Sequence, residues 1–251
     1  MKDIVDVLNS KIKYLFKNPK KSFLSRLIKR NYYLNSLYYS FKAEIAKKFL
    51  IKNPPYNFIL HDQLISLSWD PIRYATIALA INTIKSEGIK GHFAELGVFR
   101  GESSKIIHKL APERTLYLFD TFEGFPIEYL ENKKDLNRFK DTRLDLVKKY
   151  IGGLNNIIIK EGIFPGTSVG LESEIFSFVY LDADLYISTL KGLEFFYPRL
   201  SKGGYIFIHD YHNPTESKAG VFRAVNEFMR DKPEKILEIS DVLGSVIIRK
   251  L

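Results

Sequence analysis

From residue 92 to the end of the chain, short apolar runs alternate with helical patterns, and that alternation leaves few folds open. It predicts strands at 92–97, 115–120, 155–160, 175–182, 203–209, 234–239 and 244–249, with helices near 101–110, 137–151, 186–199 and 217–230 between the first six. Such an order builds a mostly parallel sheet with right-handed crossovers. The last two runs break the pattern, because only Ser240 to Gly244 separates Glu-Lys-Ile-Leu-Glu-Ile from Ser-Val-Ile-Ile-Arg-Lys. So short a link forbids a parallel crossover and predicts an antiparallel hairpin. The expected fold is α/β, a doubly wound seven-stranded sheet with an antiparallel last strand, entered from a helix over Arg73 to Ile84.

An apolar content of 45%, 14% of the chain being aromatic, is ample for a buried core in 251 residues. There are no cysteines, which excludes disulfides, thiolate nucleophiles and Cys-ligated metals and fits a cytoplasmic protein. No apolar run is long enough to span a bilayer, and the start, Met-Lys-Asp-Ile-Val-Asp, does not read as a signal peptide. The net charge of +9 is uneven: residues 1 to 60 hold 13 Lys/Arg against 3 Asp/Glu, and the remainder 25 against 26. The body therefore lacks the basic face of a nucleic-acid binder. Residues 1–60 read as a basic helical extension, with Ile4, Leu8, Ile12 and Leu15 at helical spacing and eleven aromatics. Such helices either cover the body or a second subunit, which would make a homodimer, or lie peripherally on an anionic membrane.

The central turn is Glu95-Leu-Gly97-Val98-Phe-Arg100-Gly101, between the first strand and the helix through Ser103, Ser104 and Ile107. A dinucleotide turn needs G-x-G-x-x-G close to a pyrophosphate, which Glu95 would repel. The same acid suits an ammonium, with Ser103, Ser104 and the helix N-terminus facing a carboxylate. Asp120 ends the second strand, where an acid can accept both ribose hydroxyls. Read blandly, Glu95 is a surface acid on a tight connection and Asp120 only caps the turn Thr121-Phe122-Glu123-Gly124.

A second constellation lies on strands four and five, which run into Asp182-Ala-Asp184 and His209-Asp210-Tyr211-His212. As neighbouring strands they should bring these acids together at one sheet edge. Clustered carboxylates call for a cation or a proton, and aspartate oxygens suit Mg²⁺ or Mn²⁺, His209 tilting the choice towards a transition metal. Helix capping by Asp184 and a plain turn at His209-Asp210 are the bland alternative.

These residues carry a family resemblance. Glu-Leu-Gly-Val-Phe-Arg-Gly, Asp120 to Pro126, Leu181 to Tyr186, Tyr197 to Gly204, Asp210-Tyr and Gly220 to Phe228 stand in matching order over residues 61 to 251, and together they resemble the macrocin O-methyltransferase (TylF-type) family. The resemblance implies a class I methyltransferase fold and methylation of a sugar or glycoside hydroxyl with S-adenosylmethionine and Mg²⁺. It implies a donor site at Glu95, Gly97, Val98, Arg100, Gly101, Ser103, Asp120, Thr121, Phe122, Gly162 and Asp182. It places the general base on Asp184 and metal ligands on Asp182, His209 and Asp210. His209 departs from the family, which has an aspartate there.

The segment Phe122 to Leu136 is long enough for a lid. Trp69 and Tyr74 would line the acceptor pocket or simply pack in the core. Two other function classes compete: an NAD-dependent dehydrogenase, opposed by Glu95 and the missing third glycine, and a noncatalytic scaffold, which leaves the acid cluster without a purpose.

Overall fold

The computed structural model describes residues 65, 68, 70–213 and 219–251. The N-terminal basic segment, on which the expectations of membrane contact and dimerisation rest, and Trp69 lie outside the described residues. The chain divides between Pro71 and Ile72, and the fold below is that of Ile72–Leu251.

Helix α1 (Pro71–Ser86) buries Arg73, Tyr74, Ile77, Ile81 and Ile84 at three- and four-residue spacing. Strand β1 (His92–Leu96), helix α2 (Glu102–Leu110), β2 (Leu116–Asp120), helix α3 (Leu144–Ile151), β3 (Ile157–Glu161), β4 (Phe176–Leu181), helix α4 (Tyr186–Phe196), β5 (Leu200–Ile208), helix α5 (Ala219–Met229), β6 (Leu237–Ile239) and β7 (Ser245–Arg249) follow. The sheet order is β3-β2-β1-β4-β5-β7-β6. Every pairing is parallel except those of β7, which runs antiparallel to both β5 and β6. The alternation and the short last link thus produced the expected sheet.

All six residues of β4 are buried, as expected for a strand covered on both faces, whereas β3 at the edge is partly exposed. Beside β4, Phe119, Phe164, Phe176 and Phe196 pack edge to face at centroid distances of 5.1–5.8 Å, apart from Phe164 and Phe196, which stack. Truncating one of these to alanine would cost about 3–5 kcal/mol.

The strand order reverses between β1 and β4, and the crest there is held in register by backbone bonds beyond the strands. Gly97 N donates to Phe119 O, Asp182 N to Leu96 O, and His209 N to Leu181 O, each at 2.9 Å. A Cβ on Gly97, at φ 92°, would lie 2.1 Å from the Asp182 carbonyl oxygen. Only glycine allows so close an approach of the two connections.

Strand β6 covers only Leu237–Ile239 of the expected 234–239, and one helix is much shorter than expected. The helix expected over 137–151 begins at Leu144, because Phe139 has a left-handed backbone at φ 59° and its ring wedges between Phe99 and Phe125 at 4.9 and 5.1 Å. The segment from Phe122 to Leu136 holds two short 3₁₀ turns, Ile127–Tyr129 and Lys133–Asp135. No described helix is long and apolar enough to cross a membrane.

Candidate active site

Glu95 is fully buried near the end of β1, and its two carboxylate oxygens accept from the hydroxyls of Ser103 and Ser104 on the first turn of α2. Both hydroxyls were expected to face a ligand carboxylate; the helix instead turns them onto the acid. Burial pushes the Glu95 carboxyl up to about 8, with the two serines pulling it back and Asp182 and Asp120 adding to the rise. A buried acid held this way gains most from a cation placed beside it. Gly101, left-handed at φ 80°, starts α2 without a capping side chain.

Asp120 is spent largely on backbone. Its Oδ2 accepts from Val98 N at 2.7 Å and Phe99 N at 2.8 Å, and its Oδ1 from Phe122 N at 2.7 Å. A carboxylate offers about four acceptor positions, so these three amides leave room for one further donor rather than the two ribose hydroxyls anticipated. Thr121 Oγ1 donates to Gly124 O at 2.5 Å, and Gly162 N donates to Asp120 O at 2.9 Å from the end of β3. Arg100 turns outward, pairing with Asp141 at 2.5 Å and lying over the Phe99 ring, so it ties the turn to the loop preceding α3.

Across the crest, Asp182, His209 and Asp210 converge: one donor atom from each lies within 4.8 Å of the others. Asp210 is 0% exposed and His209 3%, while the Asp182 side chain keeps 25%, which leaves a way in from solvent. Burial holds the His209 imidazole below its usual range, Asp182 and Asp210 opposing that shift. Asp210 Oδ1 accepts from Asn213 Nδ2 at 3.1 Å. Asp184 is buried just before α4, with a left-handed backbone at φ 60°. Glu95, Asp120, Asp182, Asp184, His209 and Asp210 are therefore gathered along the carboxyl ends of β1, β2, β4 and β5.

Behind Asp182 is a network the sequence did not disclose. Tyr180 Oη donates to Asp182 Oδ2 at 3.0 Å, and Arg73 donates to Tyr180 Oη at 3.0 Å and to Tyr74 Oη at 2.9 Å. Burial pushes both phenols up, with Arg73 opposing, so they stay protonated as donors. Tyr74 is thus core, as its bland reading had it. The apolar pattern of β4 hides Tyr180, and no local pattern marks Arg73 as buried.

A family model described as Macrocin-O-methyltransferase (TylF) matches residues 71–242. The 8-demethyl-8-(2,3-dimethoxy-alpha-L-rhamnosyl)-tetracenomycin-C 4'-O-methyltransferase of Streptomyces olivaceus is 24% identical over 207 residues, 70% of this chain and 79% of that protein. The mycinamicin III 3''-O-methyltransferase of Micromonospora griseorubida is 27% identical over 147 residues, 51% of this chain and 58% of that protein. Among solved structures, the O-methyltransferase NovP superposes with a TM-score of 0.60 at 20% identity, covering 86% of this chain and 98% of its own, which bears on the fold. With the match running from α1 through β6 and over both groups of acids, the chain belongs to the macrocin O-methyltransferase (TylF) family and is an O-methyltransferase.

Proposed function

We propose that the chain transfers the methyl group of S-adenosylmethionine to a hydroxyl of a sugar-linked small molecule, with a divalent cation held by Asp182, His209 and Asp210. The carrying observation is the close approach of those three donors at the carboxyl ends of β4 and β5, beside the strand that carries buried Glu95. Mutually repelling carboxylates drawn this close, with Asp182 left partly exposed, fit a cation of two charges. The Streptomyces olivaceus relative, named as a methyltransferase of a rhamnosyl-bearing tetracenomycin, supports a glycoside acceptor.

In this reading Glu95 takes the donor's ammonium, the N-terminus of α2 its carboxylate, and Asp120 one ribose hydroxyl through its remaining acceptor position. Val98, Thr121, Phe122 and Gly162 shape that pocket through backbone. A sulfonium methyl is already activated, so the protein's work is to align donor and acceptor and to free the attacking oxygen of its proton. A bound divalent cation would lower the pKa of a coordinated hydroxyl. Asp184, at the rim between the two crests, then accepts the hydroxyl proton on its carboxylate.

Calorimetric titration of the full chain with S-adenosylhomocysteine, with and without Mn²⁺, tests the donor site, and labelled-methyl transfer onto deoxyhexosyl glycosides tests the acceptor class. Binding together with chelator-sensitive labelling is expected. No binding would overturn the donor reading, labelling undiminished by exhaustive chelation would overturn the cation, and labelling confined to acceptors without a sugar would overturn the glycoside.

A further inference from the structure

The antiparallel last strand does more than close the sheet. Its register pairs Ile208 of β5 with Val246, which sets Ser245 beside His209, just past the end of β5. There Ser245, fully buried, has its Oγ 3.0 Å from His209 Nδ1 and donates to Asp241 Oδ2 at 2.5 Å. The hairpin that carries both residues is pinned in place: His212 N donates to Gly244 O at 3.2 Å, and a Cβ on Gly244, at φ 70°, would meet His212 Cβ at 2.5 Å.

The hydrogens can be counted. An aspartate carboxylate only accepts, and a serine hydroxyl has one proton to give. With that proton on the bond to Asp241, Ser245 Oγ meets His209 as an acceptor, so Nδ1 carries the imidazole proton. Nε2 is then the unprotonated nitrogen of the ring, and it faces Asp210 Oδ1 at 3.4 Å. Two acceptors facing each other in a buried pocket repel unless something positive lies between them.

We propose that Asp241 and Ser245 fix His209 in the Nδ1-protonated tautomer, so that Nε2 joins Asp182 and Asp210 as a nitrogen ligand and the site prefers Mn²⁺ or a later divalent metal over Mg²⁺. The inference rests on the cation reading above and adds two residues that touch no ligand. They are positioning residues, acting by aiming and polarising the imidazole. An imidazole nitrogen suits transition metals, whereas Mg²⁺ favours an all-oxygen shell.

The test has a metal-free arm and a metal-loaded arm, both on the full chain. Long-range ¹⁵N–¹H NMR of the histidine side chains, with His209→Asp identifying the signals of His209, reads the tautomer directly. Protonated Nδ1 with bare Nε2 is expected, with the preference lost in Ser245→Ala and Asp241→Asn and kept in Ser245→Thr. Pulsed EPR of the Mn²⁺-loaded protein should show ¹⁴N coupling that disappears in His209→Asp. Calorimetry should show Mn²⁺ binding weakened ~10-fold or more in Ser245→Ala, with a smaller effect on Mg²⁺. S-adenosylhomocysteine binding reports that each variant is folded. A proton on Nε2, alone or together with Nδ1, would overturn the relay. Bound Mn²⁺ without nitrogen coupling would overturn the ligand role, and equal weakening of Mg²⁺ and Mn²⁺ in Ser245→Ala the metal preference. A correct tautomer with no saturable Mn²⁺ binding would instead overturn the underlying cation reading, and the ligand role with it.

Discussion

Arg73 Nη1 stands 3.5 Å from Asp182 Oδ2, a cation of 3% exposure set behind a carboxylate that keeps 25%. The protein thus carries its own positive charge on the inner side of the acid cluster, joined to it through Tyr180.

Removing that charge tests how the cluster is balanced. Arg73→Met should destabilise the fold by about 3 kcal/mol, since it leaves Asp182 without its paired charge and two buried phenols without their shared donor. Saturating Mn²⁺ should restore more stability to this variant than it adds to the wild type, because a cation on the outer side replaces the missing charge. Thermal melts of both proteins across a Mn²⁺ series check it, and equal shifts would contradict it.

Glu95 gives a pH dependence with a definite sign. Its folded-state carboxyl is pushed up to about 8 against an ordinary 4.5, so the native state holds a proton that the unfolded chain has released. The stability from this group is fully present below about pH 4.5 and is lost as pH rises through about 8. Denaturation midpoints of the wild type should fall over that window relative to Glu95→Gln, which has nothing to titrate. Donor binding near pH 7 should also release close to one proton, measurable by calorimetry in buffers of different ionisation enthalpy. Glu95→Gln should bind S-adenosylhomocysteine ~10²-fold more weakly, on the order of the charge-assisted contact it loses.

Asp184→Asn keeps the shape of the residue and removes its basicity. Turnover should drop ~10²-fold or more with S-adenosylhomocysteine affinity unchanged. Full activity in this variant would take the base role away from Asp184.

Gly97→Ala should be among the most damaging single-methyl changes in the molecule. The new methyl would meet the Asp182 carbonyl oxygen at 2.1 Å in a left-handed backbone, so one connection must move. A loss of about 3 kcal/mol or more is expected in urea denaturation, with both donor and Mn²⁺ binding impaired.

Phe139 anchors the long connection after β2. Phe139→Ala should remove its ring contacts with Phe99 and Phe125, each about 0.5–1.5 kcal/mol, and expose the stretch before α3 to limited proteolysis. Unchanged cleavage would show the loop to be held mainly by Arg100–Asp141 and by Thr142 Oγ1, which donates to Phe99 O at 2.6 Å.

The sheet was legible because its strands are short apolar runs and its last link is too short to cross over. The convergence of Asp182, His209 and Asp210 was legible for the same reason, since strand order alone brings those strand ends together. Partnerships across the sheet were not. Tyr180 meets Arg73 across 107 positions and His209 meets Ser245 across 36, and no local pattern marks either pair. Asp120 misled in a different way: a sequence shows an acid at a strand end but not how many amides already point at it. The helix before β3 is shorter than its sequence pattern because helical spacing extends back past Phe139, where a tertiary contact decides the backbone.

Phe99, Phe122, Asp184 and Asp210 all adopt left-handed backbone, with φ between 51° and 63°, and all stand on the connections that follow the central strands. Residues other than glycine adopt it at about 1–3 kcal/mol each. Folding has already absorbed that strain, so these four connections are costly to reshape. Substitutions around this rim would accordingly be tolerated far better than substitutions within it.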